Sequence, residues 1–184
     1  MKANETLGRI AVMGGGSWAT ALAKLILQNV PDIIWYMRRD DRIEDFKRLG
    51  HNPAYLTDVV FDTDRIDFSS DINDVCRRAD TLLLVMPSPY FKAHTEKIHV
   101  DLSEKIVVSA VKGIVPDSND LITDYMIYHF GVERERALVV SGPLPCRGGG
   151  PGPSVLPHRG LPRPGHGRAV RAVPGGQEQP CHHQ

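Results

Sequence analysis

Short apolar runs alternate along the chain, up to about residue 140, with stretches in which apolar residues recur every three or four positions. Arg9 to Met13 is the first run, with β-branched Ile10 and Val12. Gly14-Gly15-Gly16 breaks it, and Ser17 to Asn29 reads as a helix, with Ala21, Leu22, Leu25, Ile26 and Val30 at helical spacing. The alternation then predicts a strand over Ile33 to Met37 and a helix over Asp40 to Leu49, with Ile43, Phe46 and Leu49 on one face and Gly50 to close it. After an irregular stretch it predicts a strand Ile66 to Phe68, a helix Asp71 to Arg78 and a strand Thr81 to Met86 ended by Pro87. A helix from about Tyr90 to Ile98, a strand Ile106 to Ala110, a helix Ser118 to Phe130 and a strand Ala137 to Val140 complete the series. Strands this apolar, separated by helical segments, belong to a parallel sheet covered on both faces. The expectation is a doubly wound α/β domain with right-handed crossovers.

The pattern stops near Pro143, and the composition changes there. Residues 1–143 hold 8 Gly and 6 Pro; residues 144–184 hold 9 Gly and 8 Pro and no Phe, Tyr, Trp, Ile, Met or Lys. Such a segment buries too little apolar surface to offset its ordering entropy, so 144–184 is expected to be a disordered Gly/Pro/Arg-rich tail. The balance of 22 basic against 22 acidic residues conceals a net −4 in the first part and +4 in the tail. No global basic excess points to nucleic acid. No apolar run approaches the ~20 residues of a membrane span, and the N-terminus has no signal-peptide core. Cys76, Cys146 and Cys181 are too few and too irregular for a disulfide framework, which points to a reducing, cytoplasmic compartment.

Gly14-Gly15-Gly16-Ser17-Trp18-Ala19 matches G-x-G-x-x-A, between a predicted strand and a predicted helix. In that pattern Gly14 permits the tight turn, Gly16 lets the backbone approach a pyrophosphate, and the small Ala19 lets helix and strand pack closely. Free N–H groups and the positive end of the helix dipole would face the phosphates. The plainer alternative is a glycine-punctuated loop. About twenty residues on, an acidic side chain would bind the ribose 2′-hydroxyl of NAD and an arginine would accommodate the 2′-phosphate of NADP. Here Arg38-Arg39 is followed at once by Asp40, so both cofactors stay open, with a lean to NADP. Ligands of open α/β sheets bind beyond the carboxyl ends of the strands, and among the residues there Lys112 is the only lysine. It could bind a substrate phosphate or polarise a carbonyl oxygen; the alternative is a solvated lysine at a loop start.

Taken together, Gly14-Gly15-Gly16-Ser17-Trp18-Ala19-Thr20-Ala21, Asn52-Pro53-Ala54-Tyr55-Leu56, Met86-Pro87-Ser88, Val111-Lys112-Gly113-Ile114 and Ser141-Gly142-Pro143 resemble, in order and spacing, bacterial NAD(P)-dependent glycerol-3-phosphate dehydrogenase. The resemblance covers residues 8 to 143 and implies a Rossmann-type dinucleotide-binding domain over 1–143. It implies interconversion of dihydroxyacetone phosphate and sn-glycerol 3-phosphate for phospholipid synthesis. It also implies cofactor contacts at Ser17, Trp18, Arg38 and Lys112, beside Gly14 and Gly16, and substrate contacts at Lys112 and Gly142. Arg39 is added on local chemistry alone. The family's proton-transferring lysine lies in a C-terminal helical domain that no part of this sequence resembles, and a homodimer of the intact enzyme stays open. The alternatives are a non-catalytic dinucleotide-binding fragment, an unstable truncated product, or another two-domain dehydrogenase.

The resemblance stops after Pro143, where the family continues into a charged helix. Leu144-Pro145-Cys146-Arg147-Gly148-Gly149-Gly150 opposes one, since glycine costs about 1 kcal/mol and proline about 3 in a helix interior. Those residues can be encoded CTG CCA TGC CGA GGA GGT GGC. Dropping the first base gives Cys-His-Ala-Glu-Glu-Val, the continuation the family predicts, so a one-nucleotide frameshift just after Pro143 is expected. The tail's Cys181-His182-His183, with His158 and His166, fits no zinc spacing, and its arginines lack an aromatic to stack a base. Neither a metal nor nucleic acid is expected.

Overall fold

The computed structural model describes residues 7–116, 118–140 and, as backbone, 141 and 154–157. The strands are β1 (Ile10–Met13), β2 (Ile33–Tyr36), β3 (Ile66–Ser69), β4 (Thr81–Leu84), β5 (Ile106–Ser109), β6 (Ala137–Ser141) and β7 (Ser154–Pro157). The helices are α1 (Ser17–Ile26), α2 (Asp40–Leu49), α3 (Ile72–Arg78), α4 (Ser88–Thr95) and α5 (Ile122–Phe130). They form one sheet of order β3-β2-β1-β4-β5-β6-β7, parallel throughout except for β7. This is the doubly wound architecture the alternation predicts. The chain runs outward from β1 to β3 and then, from β4, outward on the other side, which opens a crevice beyond β1 and β4.

The two-residue period of the strands builds the core as two layers. On one face Ala11, Met13, Ile34, Tyr36, Leu82, Leu84 and Val107 pack against Ile72, Val75 and Cys76 of α3, Phe91 of α4 and Tyr125 and Met126 of α5. Their alternates Val12, Ile33, Trp35, Leu83 and Val108 meet Ala19, Leu22 and Ala23 of α1 and Ile43 and Phe46 of α2 on the other. A one-residue slip would exchange the two sets, which is why the register is well specified. Trp35, fully buried, lies 5.2 and 5.6 Å from the ring centres of Phe46 and Phe61, edge to face, and stacks on Phe68 at 5.8 Å.

Charge at the helix ends follows the dipole. α2 begins with Asp40 and Asp41 and ends with Lys47 and Arg48. The Arg65 guanidinium gathers the carbonyls of Leu27, Val30 and Pro31 just past the end of α1, at 2.6–2.7 Å.

The helices over Ser17 to Asn29 and Tyr90 to Ile98 end three residues early, at Ile26 and Thr95, and three further differences from the sequence reading stand out. The last helix begins at Ile122, not Ser118: Asn119 N donates to Val115 O, Val115 N donates to Asp120 O, and Ile114 bridges Leu121, so a loop takes up those residues. α4 starts at Ser88, where Pro89 suits a first helical turn. The tail expected to lack regular structure includes β7, which pairs antiparallel with β6 from Ser141↔Ser154 to Leu138↔Pro157. An apolar pair, β-branched Val155 and Leu156, supplies a short strand to an edge that would otherwise present unpaired amides. The rest of the 144–184 expectation lies outside the described residues. Among the described residues no helix is long and apolar enough to cross a membrane.

Candidate functional site

Parallel register brings the ends of the central strands level: Met13 pairs with Tyr36 and with Leu84, and Leu84 with Ser109. Gly14, Met37-Arg38, Val85-Met86-Pro87 and Ala110-Val111-Lys112 therefore leave the sheet at one edge. Between them is a cleft of about 440 Å³. Gly14, Gly15 and Gly16 form its floor, Tyr36 to Arg39 and Arg42 one side, Met86, Pro87, Tyr90 and His94 the other, and Asn52 and Tyr55 close it.

Gly14 has φ +139°, and a Cβ there would lie 3.1–3.2 Å from the Val85 and Met86 backbone. At Gly16 a Cβ would meet nothing within 4 Å, so the space above it is open to a ligand. Ala19 is fully buried where α1 packs on the sheet. The carbonyls of the turn are all bound by the protein. Trp35 Nε1 donates to Gly14 O at 2.7 Å, Asn52 Nδ2 to Gly15 O at 3.2 Å, and both the amide and hydroxyl of Thr20 to Gly16 O at 3.0 Å. The amides of Gly15 and Gly16 have no acceptor among the described residues. No side chain caps α1, and its first turn carries no acidic residue. Free amides and an uncompensated helix N-terminus are what an anion requires, so this floor fits the diphosphate of a dinucleotide.

The two arginines after β2 differ. Arg39 Nε donates to Asp41 Oδ1 at 2.9 Å and a second nitrogen binds Oδ2; that hydrogen bond holds the Asp41 carboxyl below its usual range. Arg38, exposed, has no carboxylate partner among the described residues. Its charge reaches across the cleft: Tyr36 OH and His94 Nδ1 lie 3.4 Å apart. Burial first, then Arg38 and Lys97, push the His94 pKa down. Burial pushes that of Tyr36 up despite Arg38. At neutral pH the pair is an uncharged hydroxyl and an uncharged imidazole.

Of the predicted site residues, Gly14, Gly16, Arg38 and Arg39 thus meet in the cleft. Ser17 is exposed at the start of α1, and Trp18 is half-buried against the core layer under α1; neither lines the cleft. Lys112 leaves the same edge but is exposed outside the cleft wall, where the Cβ position of its neighbour Gly113 lies 3.3 Å from Ser88 Oγ. Gly142 lies outside the described residues. Sequence reasoning gave no role to Trp35, Asn52, Tyr36 or His94. Among them only Asn52 carried a signal, as part of the Asn52–Leu56 motif. Cys76 is buried, its thiol pushed up to about 12 by burial, and is no nucleophile. No three metal-binding side chains converge among the described residues.

A family model described as the NAD-dependent glycerol-3-phosphate dehydrogenase N-terminus matches residues 9–145. A glycerol-3-phosphate dehydrogenase (NAD(P)+) of Lysinibacillus sphaericus is 30% identical over 137 residues, 73% of this chain and 40% of that protein. One from Ectopseudomonas mendocina is 32% identical over 117 residues, 64% of this chain and 34% of that protein. Among solved structures, glycerol-3-phosphate dehydrogenase from Coxiella burnetii gives a TM-score of 0.60 at 22% identity, covering 73% of this chain and 41% of that one. The Plasmodium falciparum enzyme gives 0.62 at 22%, covering 73% and 40%. Those two likenesses bear on the fold alone. The chain spans about two fifths of the length of the first of these relatives.

Proposed function

The chain belongs to the NAD-dependent glycerol-3-phosphate dehydrogenase family, and on that premise we propose that residues 1–143 are the dinucleotide-binding domain of a cytoplasmic enzyme interconverting dihydroxyacetone phosphate and sn-glycerol 3-phosphate. The observation that carries the proposal is the glycine turn, with its three carbonyls bound by protein donors and the amides of Gly15 and Gly16 without an acceptor among the described residues. Gly14 and Gly16 shape the floor for the diphosphate, with Ser17 and Trp18 at the start of α1 beside it. Arg38, with no carboxylate partner among the described residues, is the group for a ribose 2′-phosphate, which favours NADP over NAD, while Arg39 is committed to Asp41.

Held on this floor, a nicotinamide dinucleotide would supply the hydride chemistry at C2 of the triose phosphate. Lys112, at the same edge of the sheet, holds the substrate's charge against the cofactor, and Gly142 borders the substrate. The proton at the C2 oxygen belongs to a lysine of the family's helical domain, which is not part of the N-terminal family model that matches residues 9–145. Placing both reactants needs both walls of a cleft, so the 184-residue chain is expected to bind NADPH without appreciable turnover. The test is a fluorescence titration with NADPH beside an assay of NADPH oxidation with dihydroxyacetone phosphate. Saturable binding without oxidation supports the proposal; absence of dinucleotide binding, or turnover near that of a full-length relative, overturns it. We attribute residues 144–184 to a one-nucleotide frameshift, and the nucleotide sequence across the Pro143 codon decides it. A family-like helix in neither alternative frame refutes that origin.

A further inference from the structure

The back of the glycine turn is held by a side chain to which the dinucleotide reading assigns nothing, and we propose that Asn52 is a positioning residue that sets the turn in its phosphate-receiving shape before a ligand arrives. The inference rests on the reading of the cleft as a dinucleotide site. Asn52 is 1% exposed and lies in the loop after α2, 37 residues from Gly15. Its amide donates to the Gly15 carbonyl at 3.2 Å and to Thr20 Oγ1 at 2.8 Å. The Thr20 hydroxyl passes its own hydrogen to the Gly16 carbonyl. On its other side, Asn52 Oδ1 accepts from the amides of Ala54 and Tyr55 at 3.0 and 3.2 Å. One buried side chain therefore joins the turn, the first turn of α1 and the wall of the cleft that carries Tyr55.

The consequence follows from the planar trans peptide, in which C=O and the next N–H point in opposite directions. Drawing the Gly15 carbonyl inward to Asn52 aims the Gly16 amide outward. Binding of the Gly14 carbonyl by Trp35 and of the Gly16 carbonyl by Thr20 does the same for the amides of Gly15 and Ser17. Glycine has the freest backbone of any residue, so three in a row would otherwise sample many orientations of these planes. A ligand would then have to order them at the expense of its own affinity. Any swing of the turn also strips a buried amide of its acceptors, which supplies the restoring force.

Asn52→Asp separates the two sides of this residue, because a carboxylate still accepts from Ala54 and Tyr55 but has no N–H for the Gly15 carbonyl. Thr20→Val removes the relay to Gly16 with little change of shape and serves where the Asn52→Asp variant does not fold. The full chain and both variants are titrated with NADH, NADPH and adenosine, and backbone ¹⁵N order parameters are measured without ligand. The expected result for Asn52→Asp is at least a tenfold loss of affinity for both dinucleotides and less than a twofold change for adenosine. Order parameters at Gly15 and Gly16 fall while those at Gly50 and Gly131 hold; Thr20→Val shows the same changes, smaller. Equal losses for all three ligands, unchanged dinucleotide affinity, or unchanged mobility of Gly15 and Gly16 overturns the proposal. Should the parent chain bind no dinucleotide, the functional reading fails and the order parameters alone decide the role of Asn52.

Discussion

The glycine turn and the Lys112 loop leave the same edge of the sheet but are finished to different degrees. The Gly14 and Gly15 carbonyls of the turn are bound by donors from distant parts of the chain and the Gly16 carbonyl by Thr20 in the first turn of α1, while the aromatic group around Trp35 packs beneath the turn. At the other loop Lys112, Gly113 and Ile114 are exposed, with Ile114 at 43% of its surface. A site is rigid where neighbouring elements over-determine its backbone and adaptable where they do not. By that measure the diphosphate end of the cleft is built in advance, whereas the Lys112 end offers a charge to something that has yet to arrive. Substitutions at the first end should act on the free protein; those at the second should act only in a ligand's presence.

The most damaging test of this contrast is Gly14→Ala. Its φ of +139° disfavours any side chain, and the new Cβ would press on backbone atoms of Val85 and Met86, the segment that leaves the end of central strand β4. Strain and overpacking together predict a loss of about 3 kcal/mol in urea denaturation and no measurable dinucleotide binding. A variant within about 1 kcal/mol of the parent would mean that the turn has slack, and the contrast would fail.

The arginines come next, because they test the contrast inside the cleft itself. Arg38→Ala removes a cation that has no carboxylate partner among the described residues, so stability should hold while NADPH affinity falls about tenfold relative to NADH, the scale of one charge-assisted hydrogen-bonded contact. Arg39→Ala breaks the pair with Asp41, exposed on both sides, and should change the NADPH to NADH ratio less than about threefold, as exposed ion pairs contribute little. Parallel titrations of both variants check this; equal effects at the two positions would show that Asp41 does not hold Arg39 away from a ligand.

The sequence showed much of this geometry, and what it hid has a common cause. Strands, helices and the carboxyl-edge loops follow from apolar periodicity and from glycine and proline punctuation, both local signals. Arg38 and Arg39 look alike in sequence; their difference arises because Arg39 folds back onto the first turn of α2. Asn52 could be seen as part of a motif, but its acceptors are brought to it by the packing of the loop after α2 on α1, which no local pattern encodes. The same holds for His94, whose partner Tyr36 comes from β2, 58 residues away. The start of α5 was misplaced because a bridge between Ile114 and Leu121 competes with the helix. β7 was hidden by the glycine and proline around it.

His94 makes the finished end of the cleft sensitive to acid. Its pKa is lowered in the folded protein, by burial first and then by Arg38 and Lys97, relative to the usual histidine value of about 6.5 in the unfolded chain. Below that value the unfolded state binds more protons, so stability is intact above about pH 7 and declines as pH falls through the ordinary histidine range toward the lower folded value. The proton would place a cation beside Arg38 and Lys97 at the ring that meets the Tyr36 hydroxyl. His94→Gln should flatten the curve of urea midpoint against pH between about 7 and 5, with little change at about pH 8. A parent slope retained in full by the variant would assign the acid sensitivity elsewhere.

Lys112 should show the smallest effect on the free protein, and that is its diagnostic value. Exposed and outside the cleft wall, it has no ion-pair partner among the described residues, so Lys112→Met should alter stability by less than about 0.5 kcal/mol. Its ammonium is a solvated charge whose contribution to dinucleotide affinity is that of an exposed contact, less than about fivefold and screened by salt. Titrating NADPH at low and at high ionic strength, into the parent and the variant, isolates that contribution as the part of the salt dependence the variant lacks. A loss larger than tenfold, or one indifferent to salt, would place the lysine in a finished, desolvated contact. The two ends of the edge would then be alike, because a lysine that a ligand buries needs the same preformed surroundings that Trp35, Asn52 and Thr20 give the glycine turn.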